Sequence, residues 1–360
     1  MRWDIFCKVI DNFGDVGVCW RLSAELARRG EHVRLWLDDP QALAWMAPGA
    51  LQGNVPGIEV LHWTSPLPAN DHPPADVWIE AFGCEPPPEC VEALAAQVAG
   101  GARAPVWINL EYLSAESYVE RSHRLPSPVM SGLLRGLVTK WFFYPGFTPR
   151  TGGLLRENDL LARQAAFDAE AWLADLRLPV RAHTRRVSLF CYEPAALPAV
   201  LQQAARDETP SDWLVTPGRA WHAAQAAGAP TDPGCQLHAL PLLTQHDFDH
   251  LLWVTDLNFV RGEDSLARAL WAGKPFVWHI YPQHDDAHHA KLEAFLDWLQ
   301  APATLRDFHR AWNGIGAASA IWPDAGTLEA WGDCALAARQ RLLAQADLCS
   351  QLLGFVLEKR

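Results

Sequence analysis

No stretch of these 360 residues is apolar for long enough to span a bilayer. No basic segment leads into an apolar core at the start, where Met1-Arg2-Trp3-Asp4 runs straight into strand-like sequence. Both absences point to a cytoplasmic protein with no membrane partner. Positive charge is also scarce: 30 Lys and Arg stand against 42 Asp and Glu, a formal net charge of -12. Neutralising a phosphate backbone needs a basic surface, so no nucleic-acid partner is expected. None of the 8 cysteines forms a CxxC pair, which leaves free thiols in a reducing compartment as the expectation. What the chain does have is core-forming sequence, 49% hydrophobic and 20% charged, enough for two globular domains. Its 18 tryptophans supply amphipathic rings for a core and for platforms at a groove.

Hydrophobic periodicity predicts a strand from Trp3 to Ile10, a turn-rich loop from Asp11 to Gly17, a helix from Val18 to Arg29 and a strand from His32 to Leu37. That is a βαβ unit, which implies a parallel sheet covered by helices. Strands at Ile58–Leu61, Val77–Phe82 and Val106–Leu110 continue the pattern, with a helix from Cys90 to Val98. From Tyr112 to Arg156 the sequence reads as irregular, and so long a stretch in a compact domain is more often functional than idle. A helix from Asn158 to Leu176 leads to a linker near Leu178-Pro179. A second α/β series follows. It has strands at Arg186–Cys191, Trp213–Val215, Gln236–Leu240, Leu257–Val260 and Pro275–Ile280. Its helices run from Pro194 to about Ala205, Phe248 to Leu252, Glu263 to Ala272, His288 to Leu299 and Thr327 to Leu353. Two α/β domains are expected, 1–178 and 179–360.

Ligands of open α/β sheets bind outside the carboxyl ends of the strands. Two clusters sit there. In Arg261-Gly262-Glu263-Asp264-Ser265 a strand meets a helix N-terminus, whose free N–H groups and partial positive charge suit a phosphate. Gly262 permits close backbone approach, Ser265 can donate and Arg261 can fork onto phosphate oxygens. An ordinary acidic helix cap accounts for the same residues. In the first half, Asp11 and Asp15 flank Asn12-Phe13-Gly14, two carboxylates suited to a base and an orienting partner. Turn formation and helix capping by Asp15 are the competing reading. The loop lacks GxGxxG, so it is not a dinucleotide fingerprint. Phe190 and Tyr192 alternate on a strand end and share a face, for base stacking or for core packing. The run His284-Asp285-Asp286-Ala287-His288-His289 invites a metal reading, but a solvated helix start explains it better, and no metal is expected.

Together these segments resemble the protein-arginine rhamnosyltransferases of elongation factor P, the EarP family. The resemblance is carried by IFCKVIDNFGDVGVCWRL from Ile5, INLEYLSAE from Ile108, LPSP from Leu125, FFYPGFTPRTGGLLRE from Phe142, LFCYEP from Leu189, and DLNFVRGEDSLARALWAGKPFVWHIYPQ from Asp256. It spans nearly the whole chain. It implies a GT-B fold, with two Rossmann-like domains facing across a cleft, the first for acceptor and base, the second for the nucleotide sugar. It also implies a dTDP-β-L-rhamnose donor, inversion at the anomeric carbon, no cofactor and no metal. The partner implied is elongation factor P, glycosylated on one arginine. Asp15 matches the family's general base, Asp11 its partner carboxylate, and Glu263 a further essential carboxylate. Substrate-binding positions implied by the match are Asn12, Phe13, Gly14, Phe190, Tyr192, Gln245, Arg261, Gly262, Asp264 and Ser265. The rivals are a GT-B enzyme with another sugar or acceptor, and a non-catalytic module that binds a translation factor.

Overall fold

The computed structural model describes residues 1–9, 13–64, 67, 73–178, 181–228, 234–283 and 286–360. The chain forms two compact units. One comprises Met1–Asn158 with Gln345–Arg360, the other Asp159–Ala344.

The first unit runs β1 (Arg2–Cys7), α1 (Gly14–Arg28), β2 (His32–Leu37), α2 (Leu43–Met46), β3 (Ile58–His62), β4 (Val77–Ala81), α3 (Pro88–Ala99), β5 (Val106–Leu110), α4 (Ser117–Ser122), β6 (Pro126–Pro128) and β7 (Thr139–Phe143). Its sheet has the order β3-β2-β1-β4-β5-β7-β6. Every pair is parallel except β6 with β7. Successive strand side chains point to opposite faces, so β1 feeds two cores. Trp3, Ile5 and Cys7 pack with Val16, Leu22 and Leu26 of α1, while Phe6 packs with Trp36, Trp78 and Trp107 on the other face. Asp4 is buried on that second face and is satisfied by Arg34, at 2.5 and 2.7 Å, and by the Trp36 indole.

The second unit holds α5 (Leu160–Ala165), α6 (Ala169–Asp175), β8 (Arg185–Leu189), α7 (Leu197–Ala205), β9 (Ser211–Val215), α8 (Arg219–Ala226), β10 (Cys235–Ala239), α9 (Gln245–Val254), β11 (Leu257–Arg261), α10 (Gly262–Ala272), β12 (Phe276–His279), α11 (Ala287–Leu299), α12 (Ala303–Trp312) and α13 (Ala325–Leu343). The sheet is all parallel, in the order β10-β9-β8-β11-β12. Both units therefore wind outward in both directions from their first strand. The switch point lies between β1 and β4 in one, and between β8 and β11 in the other.

α14 (Leu348–Lys359) closes the first unit. Leu348, Leu352, Phe355 and Val356 join the core beside α1. Arg29, the C-cap of α1, pairs with Asp347 at 2.9 Å and donates to Ser350 at 2.7 Å.

Four expectations are corrected. The single helix from Thr327 to Leu353 is two, because Asp347 caps α14 by accepting from the Ser350 N–H at 2.9 Å. The division at 178 moves to 158. Phe167, Trp172 and Leu173 find their apolar partners in Leu251 and Val254 of α9, and the Trp172 indole donates to Asp247 at 3.0 Å. The helix expected from Asn158 to Leu176 is α5 and α6, with Asp168 capping the second. The irregular stretch 112–156 contains α4, β6 and β7, and the two prolines of β6 fit an edge strand, where no ladder N–H is needed on the open side. The linker residue Pro179 lies outside the described residues.

Candidate functional site

The first unit presents one cluster at its switch point. Gly14 opens α1 after Phe13, whose side chain makes no capping hydrogen bond. Asp15 thus lies inside the first turn, where the helix dipole favours a carboxylate. The capping reading places it one step outside that turn. Tyr112, two residues past β5, donates its hydroxyl to Asp15 Oδ2 at 3.2 Å. Phe82, one residue past β4, stacks on Tyr112 with centroids 4.7 Å apart. Phe82 adopts φ +58°, the left-handed region that bulky residues rarely occupy. That strain is held where β4 hands its chain to the site. Phe13 is half exposed and meets Trp45 edge-on at 6.0 Å. Asp11 and Asn12 lie outside the described residues.

The second unit builds its cluster where β8, β9, β11 and β12 end. Arg261 closes β11 and Gly262 opens α10 with φ +67°. A Cβ on Gly262 would sit 3.5 Å from the Tyr192 hydroxyl, an ordinary contact, so glycine is favoured here by conformation and not by space. The Arg261 guanidinium lies 4.4 Å from the Phe190 ring centroid and 4.8 Å from that of Tyr192, and it donates to the Cys191 carbonyl at 3.0 Å. Rings two residues apart thus flank one cation. No carboxylate pairs with Arg261 among the described residues, and burial lowers its pKa.

Ser265 is 4% exposed and spends its hydroxyl on Arg261, accepting from the amide at 3.0 Å and donating to the carbonyl. It therefore shapes the α10 N-terminal turn in this state, where the sequence suggested a free donor. Glu263 pairs with Lys291 of α11, and Asp264 shares the first turn of α10. The Trp278 indole ties the turn down by donating to the Gly262 carbonyl at 2.8 Å. Gln245 opens α9, and Phe248, one turn on, meets Phe190 at 5.4 Å, which puts that helix start beside the rings.

Sequence reasoning missed His279, Tyr281 and Arg219. His279 and Tyr281 meet the Tyr192 ring at 5.1 and 5.7 Å. Burial pushes His279 down to about 3 and Tyr192 up to about 12, so both rings are neutral. Their one sequence signal was position at, or a few residues past, the carboxyl end of a strand. Asp286, His288 and His289 place ligand atoms within 4.8 Å of one another, but His288 Nδ1 already accepts from the Gln283 N–H at 3.1 Å, which leaves its other nitrogen protonated. His284 and Asp285 lie outside the described residues. The free cysteines are buried except Cys334, which is partly exposed, and no helix among the described residues is long and apolar enough to cross a membrane.

Comparison with known proteins places this geometry. The family described as Elongation-Factor P (EF-P) rhamnosyltransferase EarP matches residues 3–357. A protein-arginine rhamnosyltransferase of Pseudomonas putida is 42% identical over 98% of this chain and 98% of its own. The solved structure described as the structural basis for EarP-mediated arginine glycosylation of translation elongation factor EF-P aligns with TM-score 0.68 and 30% identity, over 100% of this chain and 99% of that one. Acinetobacter baumannii MurG aligns with TM-score 0.50 and 14% identity over 99% of both chains, a likeness of fold alone. The fold is GT-B. The chain belongs to the EarP family of elongation factor P rhamnosyltransferases.

Proposed function

We propose that this chain transfers L-rhamnose from dTDP-β-L-rhamnose to an arginine side chain of elongation factor P, with inversion at the anomeric carbon. The observation that carries this reading is the pair of opposite charges at the two switch points, a carboxylate at Asp15 and a ring-flanked cation at Arg261. A guanidinium has pKa above about 12 and no free lone pair, so a carboxylate cannot deprotonate it beforehand. Asp15, with Asp11 as partner, holds the guanidinium by charge-assisted hydrogen bonds and localises its electrons on one nitrogen. That nitrogen forms the C–N bond to the anomeric carbon as the bond from that carbon to the phosphate oxygen breaks. The electron pair leaves with dTDP, and the nitrogen's proton passes to Asp15. Tyr112 fixes the Asp15 carboxylate for this transfer.

In the donor unit, Phe190, Tyr192 and Gln245 hold the nucleoside end, while Arg261 and the N–H groups at the start of α10, from Gly262 to Ser265, stabilise the charge growing on the leaving diphosphate. Glu263 keeps Lys291 beside that turn. Arg261→Ala is expected to weaken dTDP binding by about 1.5–3 kcal/mol, since a charge-assisted bond to phosphate is lost. Ser265→Ala is expected to weaken it as well, through a disordered α10 turn. Unchanged dTDP titrations in both variants would remove the donor site from this unit.

The phosphate site carries its own cation and helix end, so no metal takes part in the proposed reaction. Transfer in excess EDTA is therefore expected to equal transfer without it. Loss on chelation, reversed by magnesium or manganese, would assign a metal role to the Asp286, His288 and His289 group.

A further inference from the structure

Arg219 follows β9 through Gly218, whose φ is +80°, and opens α8. Its guanidinium lies 4.9 Å from the Tyr192 ring centroid, and that of Arg261 lies 4.8 Å from the same centroid. The two cations therefore stand within roughly one Debye length, about 10 Å at 0.1 M salt. Like charges so placed repel, and the Arg219 charge adds to burial in lowering the Arg261 pKa. Only one of the two has a carboxylate in direct contact among the described residues. Glu193, one residue past Tyr192, takes Arg219 in a fork, Nε to Oε1 at 2.7 Å and Nη2 to Oε2 at 2.5 Å. That pair is open to solvent, with side chains 47% and 55% exposed. Exposed pairs contribute little net stability, so this one exchanges partners readily. No carboxylate pairs directly with Arg261 among the described residues, and Glu193 reaches it only through its field. An anion with two separated charges relieves both problems at once.

We propose that Arg219 is a second cation for the donor's diphosphate, released from Glu193 when the nucleotide enters and sharing the two phosphate groups with Arg261 across the Tyr192 ring. The inference rests on the donor site assigned above to this unit. Glu193 holds Arg219 in place before the nucleotide arrives and keeps it from collapsing onto other acceptors. The unpaired field at Arg261 supplies the pull on the incoming anion.

The test titrates the full-length chain with dTDP and, separately, with thymidine. Arg219→Ala is expected to weaken dTDP about tenfold or more, as for loss of a charge-assisted phosphate contact, and to leave thymidine unchanged. Arg219→Lys keeps the charge and is expected to recover part of the loss. Glu193→Gln removes the competitor and is expected to tighten dTDP. The opposite signs of the Arg219→Ala and Glu193→Gln effects separate a ligand role from a structural ion pair, in which both changes act alike. Wild-type binding of dTDP with equal affinity in Arg219→Ala would overturn the Arg219 assignment and leave the donor site standing. Failure of the wild type to bind dTDP would overturn the donor site, and this inference with it.

Discussion

Asp15→Asn is expected to keep the fold and dTDP affinity and to lose about 10²–10⁴-fold in the rate of transfer, the usual contribution of a general base. Asn matches the shape of Asp and still accepts a hydrogen bond from Tyr112, but it takes no proton and carries no charge against the guanidinium. The variant separates this reading from a structural one. Asp15 stands inside the first turn of α1, its carboxylate reached by the Tyr112 hydroxyl. Asn caps helices as well as Asp does, so a capping role predicts a near-silent variant. Single-turnover transfer, measured with melting temperature and dTDP affinity, discriminates the two. Tyr112→Phe is the graded companion. It removes one hydrogen bond to the carboxylate and is expected to slow transfer less than Asp15→Asn does.

The second large effect is on stability. Phe355 of α14 is fully buried in the core of the first unit, against Trp141 and Phe143 with ring centroids 5.7 Å away in each case. Phe355→Ala is expected to cost about 3–5 kcal/mol, the range for emptying a large aromatic site. The damage should appear in β1, α1 and β4, hundreds of residues away in sequence. Hydrogen exchange followed by mass spectrometry reads this directly. Faster exchange in β1 and α1 with β8, β9 and β11 unchanged is the expected pattern. The opposite pattern would return residues 345–360 to the second unit, as the plain division at 178 has it.

Much of the architecture was legible because it is local. The change from strand to helical spacing between Trp3 and Arg28 marks β1 and α1, and the Gly-flanked step at Arg261 marks β11 and α10. What escaped is set by non-local packing. Nothing between Ala344 and Asp347 breaks a helix by composition, and only the Asp347–Ser350 cap reveals the boundary from which α14 returns to the first unit. α2, α8 and α12 were missed, although α12 carries a clear helical spacing in Leu305, Phe308 and Trp312, and α5 and α6 were read as one helix across Asp168.

The candidate sites divide the same way. Asp15 and Arg261 stand beside their own turn motifs. Tyr112, Phe82, Arg219 and His279 reach the sites only because the strand orders bring the ends of β4, β5, β9 and β12 beside β1, β8 and β11. No spacing in the sequence encodes that adjacency. The hydroxyl of Ser265 shows the converse, a residue whose place was legible and whose partner was not.

The central claim is transfer of one rhamnose to an arginine of a folded translation factor. Intact mass spectrometry of elongation factor P, incubated with this chain and dTDP-β-L-rhamnose in the presence of EDTA, tests it most directly. The account predicts a gain of one deoxyhexose residue, mapped to an arginine by fragmentation and absent with Asp15→Asn. An unchanged mass with active donor and folded acceptor, or a sugar mapped to a residue other than arginine, would contradict it.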